Sequence, residues 1–129
     1  LAEIEGPLML CLRGEAMPFV IVDDSGAVAG RLTLSGIVRG SFQSCNLGYW
    51  LAQDQTGQGF ATQAVGEAVA YAFEQLGLHR VQAGTLVHNE ASQRVLASNG
   101  FEQFGLAPRY LEIEGAWQDH LLFQRLNEA

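Results

Sequence analysis

Between residues 59 and 76 the apolar period of this chain switches from two to three and four, and after Gly77 it switches back. Ala61, Ala64, Val65, Ala68, Val69, Ala72, Phe73 and Leu76 fall on one helical face. Before them stands "NLGYWLA" (46 to 52) and after them "RVQAGTLV" (80 to 87), both patterned as buried strands. A strand, a helix and a strand in that order require a right-handed parallel crossover, with the helix laid on the sheet by its stripe of small residues. Gly77 stands where a left-handed cap would end the helix.

The flanks read as antiparallel. "PFVIV" (18 to 22), the turn chemistry of "DDSGA" (23 to 27) and "VAGRLTL" (28 to 34) predict a β-hairpin, followed by a glycine-punctuated link over 36 to 40. Asn89 is an N-cap for a shorter helix running to Ser98, and Gly100 with Phe101 suits its exit. "GFEQFGL" (100 to 106) and "WQDHLLFQRL" (117 to 126) predict a closing antiparallel pair. The fold class is therefore α/β with a mixed sheet. At 129 residues and 48% hydrophobic, with no internal repeat and no low-complexity segment, residues 1–129 form one domain with a core.

Fourteen acidic residues against seven arginines and no lysine give a net charge of −7, which argues against nucleic acid and accommodates a basic partner. The apolar runs are too short to span a bilayer and no signal peptide opens the chain, so a cytoplasmic protein with no membrane association is expected. Cys11 and Cys45 form neither a CxxC pair nor a zinc spacing; reduced thiols and no metal are expected.

The turn between the strand and the main helix reads "QTGQGFAT", residues 55 to 62. A glycine-rich turn at a helix start suits an anion, because the first helical amides lack internal partners and the dipole is positive there. A phosphate-binding P-loop needs a lysine, and this chain has none. A dinucleotide-binding GxGxxG would need glycine where Thr62 stands, and an acidic residue where the next strand ends "LVHN". Beside an ordinary helix entry, the remaining reading is a resemblance to the pyrophosphate loop Gln/Arg-x-x-Gly-x-Gly/Ala of the GNAT N-acetyltransferases, with Gly59 and Ala61 in place and Thr56 where Gln or Arg is usual.

In order and spacing, "NLGYWL", "GQGFATQAV", "AFEQLGLHRV", "HNEASQRVLASNGF" and "RYLEIEGAWQDHLLF" resemble the RimJ/RimL group of that superfamily, the ribosomal-protein alanine N-acetyltransferases. The likeness covers residues 18 to 126. It implies a GNAT-like sheet splayed between the strands at 46–52 and 80–87, with acetyl-CoA in the opening. The pantetheine arm would pair with backbone around Trp50, Leu51 and Ala52 like an added strand, and the amides of Gly57, Gln58, Gly59, Phe60, Ala61 and Thr62 would hold the pyrophosphate. The Asn and Ser of the family's NxxS motif fall on Asn89, a contact for the cofactor arm, and Ser92, an acid for the departing thiolate. Other GNAT enzymes carry a Tyr four residues later, where this chain has Leu96, so Ser92 is the one hydroxyl in that motif.

Direct transfer of acetyl to a primary amine would follow, the oxyanion being met by an amide near Leu51. Some relatives have a carboxylate base where this chain has Arg109, ahead of Tyr110 and Leu111. Asp119 and His120 are the candidates to replace it, with Glu112 placed in a turn; Asp119 also suits a loop anchor, His120 a packed strand residue, and Tyr49 and Trp50 the core. The resemblance also implies a strand and two helices ahead of the hairpin, for which residues 1 to 17 are short. A truncated chain, disorder or another subunit would each account for that. A protein N-terminal α-amine is the expected acceptor. A small-molecule amine, or a non-catalytic CoA-binding module, is the alternative, and homodimers are common among resembling enzymes.

Overall fold

In the computed structural model of the protein, the described residues are 2–4, 16–22, 25–51 and 59–128. The strands are β1 (Ala2–Ile4), β2 (Ala16–Val22), β3 (Val28–Val38), β4 (Ser44–Leu51), β5 (Arg80–Leu86), β6 (Glu102–Ile113) and β7 (Ala116–Leu126). The helices are α1 (Phe60–Glu74) and α2 (Glu90–Ser98). Among the described residues the strands form a single mixed sheet in the order β1-β2-β3-β4-β5-β7-β6. Every neighbouring pair is antiparallel except β4 and β5, which α1 joins as a parallel crossover.

The helical stripe does what its spacing requires. Ala61, Ala64, Val65, Ala68, Val69 and Ala72 are buried, and Phe73 and Leu76 pack against the core from its edge. Their small volume lets α1 lie close against Leu32, Leu34, Leu47 and Val81 of the sheet. Gly77 has φ +67, and beyond it the Leu78 amide donates to the Ala72 carbonyl at 3.0 Å, closing the helix end. Asn99 ties the two helices together, donating to the carbonyls of Thr62 and Val95. A Cβ placed on Gly66 would meet Asn99 Oδ1 at 3.0 Å, so a glycine there admits α2. Among the described residues no helix is long and apolar enough to cross a membrane.

Several boundaries differ from the sequence reading. The hairpin forms, with Gly26 at φ +88 in its turn, but β3 runs on through Gly36 to Val38 over a bulge between Ser35 and Val38. Thus the expected link at 36–40 begins three residues late. β6 extends to Ile113, through Pro108 and Arg109, because its pairing with β7 skips from Ala107 to Leu111 and resumes. Glu112 is consequently paired with Trp117 inside the ladder, and the turn falls at Glu114 and Gly115. Ahead of the hairpin, Ala2–Ile4 does supply a strand, on the edge of the sheet beside β2.

Candidate active site

β4 and β5 pair through three positions only: Ser44 with Arg80, Cys45 with Val81 and Asn46 with Gln82. Beyond these the strands diverge, although β4 continues to Leu51 and β5 to Leu86. From Leu47 onward, the β5-facing edge of β4 has no strand beside it among the described residues, while its other edge is laddered to β3. Such an edge exposes backbone donors and acceptors to an extended ligand.

The opening has a cavity on each face. On the helix side, about 220 Å³ is lined by Tyr49, Thr85, Asn89, Ser92, Leu96 and His120, among others. On the outer face, about 320 Å³ is lined by Ser35, Asn46, Gln82, Tyr110 and Leu111. Leu47, Gly48, Ala83 and Gly84 line both cavities, so the two meet through the gap in the sheet. A Cβ built on Gly48 would have nothing within 4 Å, so a side chain there would stand in open space beside that passage. The two glycines were read only as strand residues; each stands two positions beyond the last paired residue of its strand, Asn46 or Gln82, which only the pairing reveals.

Asn89 caps α2, its Oδ1 accepting from the Ser92 amide at 3.2 Å. The cap uses the carbonyl oxygen and leaves the side-chain NH2 as a donor. Gln93 pins the preceding turn through the carbonyls of Leu86 and Val87. Ser92 thereby enters the cavity in the first turn of α2, with its Oγ 2.9 Å from the Tyr49 hydroxyl. Burial pushes the Tyr49 phenol above its usual range, while the Ser92 hydrogen bond pulls the other way. Sequence reasoning placed Tyr49 in the core and Ser92 as a lone hydroxyl; 43 residues separate this pair, so no local pattern could join them.

His120 is 4% exposed and lies at the far wall of the helix-side cavity. Its Nδ1 stands 3.0 Å from the Gln118 carbonyl, which can only accept; in the neutral ring Nδ1 carries the hydrogen and Nε2 keeps a lone pair. The ring of Tyr110 meets it edge to face, centroids 5.5 Å apart. Asp119 points elsewhere: its Oδ1 accepts from the Arg109 amide at 2.9 Å, and it lines neither cavity. Arg109 has φ +48 at the bulge of β6, and that bond holds the bulge whose next residues, Tyr110 and Leu111, wall the outer cavity.

At the start of α1, Gly59 adopts φ +80, a conformation that costs an L side chain about 1–2 kcal/mol. The first intrahelical bond runs from Gln63 to the Gly59 carbonyl, so the amides of Phe60, Ala61 and Thr62 precede the ladder, and no acidic residue lies in the first turn. Trp50 is 54% exposed rather than buried in the core, and Leu51 ends β4. Thr56, Ala52, Gly57 and Gln58 lie outside the described residues. A larger cavity of about 380 Å³, around Phe73, Gly100 and Arg125, contains none of the candidate residues.

Residues 3–102 match the Acetyltransferase (GNAT) domain family. The chain is 39% identical over 111 residues to the [Ribosomal protein uS5]-alanine N-acetyltransferase of Escherichia coli, covering 85% of this chain and 57% of that one. It is also 39% identical over 109 residues to the Probable N-acetyltransferase YjcK of Bacillus subtilis, covering 84% and 59%. The chain thus spans somewhat more than half the length of these relatives. Among solved structures, Mycobacterium smegmatis RimJ in complex with CoA-disulfide superimposes with a TM-score of 0.89 at 39% identity, over 94% of this chain and 57% of that one.

Proposed function

This chain belongs to the GNAT acetyltransferase family, and from that premise we propose that it transfers acetyl from acetyl-CoA to the α-amine of a protein N-terminus. The observation that carries the reading is the gap between β4 and β5, open to both faces of the sheet and lined by glycine on each strand. A donor entering from one face and an amine from the other would meet there.

The residues fit acetyl-CoA. The unpaired edge of β4 from Leu47 to Leu51 is suited to the amides of the pantetheine arm, with the Asn89 NH2 opposite. The amides of Phe60, Ala61 and Thr62 suit the pyrophosphate, and Gly57 and Gln58 come just before them in the sequence. Acetyl-CoA supplies the thioester that the amine attacks.

In this reading His120 Nε2 takes the proton that the amine loses as the C–N bond forms, while the Nδ1 bond to Gln118 fixes the ring. Ser92 Oγ–H donates to the sulfur as the C–S bond breaks, and Tyr49 O–H donates to Ser92 Oγ in turn. Proton exchange with water restores both ends. Asp119 contributes by holding the bulge that presents Tyr110 to the acceptor.

A single neutral base suffices for an α-amine. With pKa near 7.7 it is roughly 15% neutral at pH 7, against about 0.04% for a lysine amine near 10.4. The outer cavity favours a peptide over a polyamine as well: its described lining is neutral, with Ser35, Asn46 and Gln82 offering hydrogen bonds and no carboxylate to meet further cationic charge. The net charge of −7 suits a basic protein partner, and the Escherichia coli relative is named for a ribosomal protein. The test is thiol release with acetyl-CoA and a panel of N-terminal peptides, polyamines and other small amines. Peptide-dependent release is expected; release with none of them would defeat the enzyme reading, and preference for small amines would replace the acceptor.

A further inference from the structure

At the apex of the opening, where β4 and β5 still pair, Arg80 is held from every side. Its Nε donates to Gln124 Oε1 at 2.8 Å, Nη1 to Ser44 Oγ at 3.0 Å and Nη2 to Gln82 Oε1 at 2.7 Å. The guanidinium also lies against the rings of Phe42 and Phe104, 5.5 and 5.2 Å from their centroids. Ser44, Gln82 and Gln124 come from β4, β5 and β7, so this one side chain staples three strands.

The bond to Gln82 has a chemical consequence. An arginine can only donate, so the Gln82 atom facing it must be the carbonyl oxygen, and the amide orientation is settled without ambiguity. The remaining group, the NH2, is a donor with two hydrogens, on a residue that lines the outer cavity beside Asn46 and Gly84. A fixed donor beside the gap, in a neutral cavity, matches a group that an N-terminal peptide has and a simple amine lacks: a backbone carbonyl whose carbon is two bonds from the reacting nitrogen.

We infer that Gln82 reads the acceptor, its NH2 donating to a backbone carbonyl next to the amine while Arg80 holds the side chain in place. Arg80 is a positioning residue in this scheme and touches no substrate. The assignment rests on the acetyl-transfer reading and narrows it to acceptors that carry that carbonyl.

The test compares a short N-terminal peptide with its alkene isostere, in which CH=CH replaces the first peptide unit, as acceptors for the wild type, Gln82→Met and Gln82→Glu, with kcat/KM referred in each case to the concentration of neutral amine, because losing the carbonyl raises the amine pKa. The wild type is expected to favour the peptide about tenfold in kcat/KM, the worth of one positioned hydrogen bond. In Gln82→Met that preference should fall to about one. Gln82→Glu retains an oxygen for Arg80, and so its fold, but carries no donor; it should lose the preference too and gives the answer if the Met variant does not fold. A preference that survives in either folded variant, or is absent from the wild type, overturns the inference alone. Failure of the wild type to acetylate any amine overturns the acetyl-transfer reading and this inference with it.

Discussion

β4 and β5 are two strands with two behaviours, tight over their first three paired positions and separate thereafter. In the closed part, Cys45 and Val81 are at most 2% exposed, Ser44 is buried on Arg80, and the Gln43 carbonyl accepts from the amides of both His79 and Arg80. In the open part, glycines line the gap, the facing edge of β4 goes unpaired among the described residues, and the polar side chains of the helix-side cavity are Tyr49, Thr85, Asn89, Ser92 and His120. In the proposed reading, stability is concentrated where the strands meet and chemistry where they part. At the closed apex Arg80 ties β4, β5 and β7 together just before β4 and β5 diverge.

The largest effect that would break this contrast belongs to the apex. Arg80→Met leaves three oxygen acceptors without their donor, and should lower unfolding free energy by about 3 kcal/mol in urea titration. A loss below about 0.5 kcal/mol would mean that the apex is no staple. In the mouth the reverse holds: Gly48→Val places a side chain beside the passage without backbone strain, so acetyl transfer should fall on the order of a hundredfold while the melting temperature holds or rises. Unchanged turnover would show that the reacting groups do not meet there.

The third prediction sharpens the buried side of the contrast. Burial pushes the Cys45 thiol from 9.0 up to about 11, with Arg39 pulling it down. A folded pKa above the unfolded one means that the native state keeps its proton longer. Its contribution is therefore complete below about pH 9 and is lost as pH rises to about 11, in all about 3 kcal/mol. Urea midpoints at pH 8 and pH 10.5 should fall further for the wild type than for Cys45→Ala, and parallel falls would refute the assignment. The smallest effect is in the hydroxyl pair. Ser92→Ala and Tyr49→Phe should each lower kcat about tenfold, and the double variant no more than either, since a thiolate needs little acid assistance and both act through one bond. Additive losses would separate the two residues.

The sequence made the crossover legible because helical and strand periods differ sharply around Gly59 and Gly77. Asn89 was legible as a cap for the same local reason. What escaped was set by pairs distant along the chain. Strand β6 looked finished at Leu106 because Pro108 interrupts the alternation, and only pairing with β7 shows that Pro108 and Arg109 belong to a bulge, closed by the Asp119 carboxylate. The Tyr49–Ser92 hydroxyl pair and the Arg80 staple likewise depend on which strands become neighbours, whereas the splay beyond Asn46 was expected from the family resemblance. His120 was a candidate from its place in "WQDH", but its free lone pair at Nε2 follows from the Gln118 carbonyl, which the letters do not reveal.

The account turns on the helix-start amides and the open strand edge acting as a seat for acetyl-CoA. Calorimetric titration of acetyl-CoA into the wild type and into Gly59→Glu tests this directly, with circular dichroism as the check that both are folded. The wild type should bind in the micromolar range, and the variant, with a carboxylate at the N-terminus of α1 where φ is +80, should show no binding at millimolar ligand. Equal affinity in the two proteins, or no binding by the wild type, would contradict it.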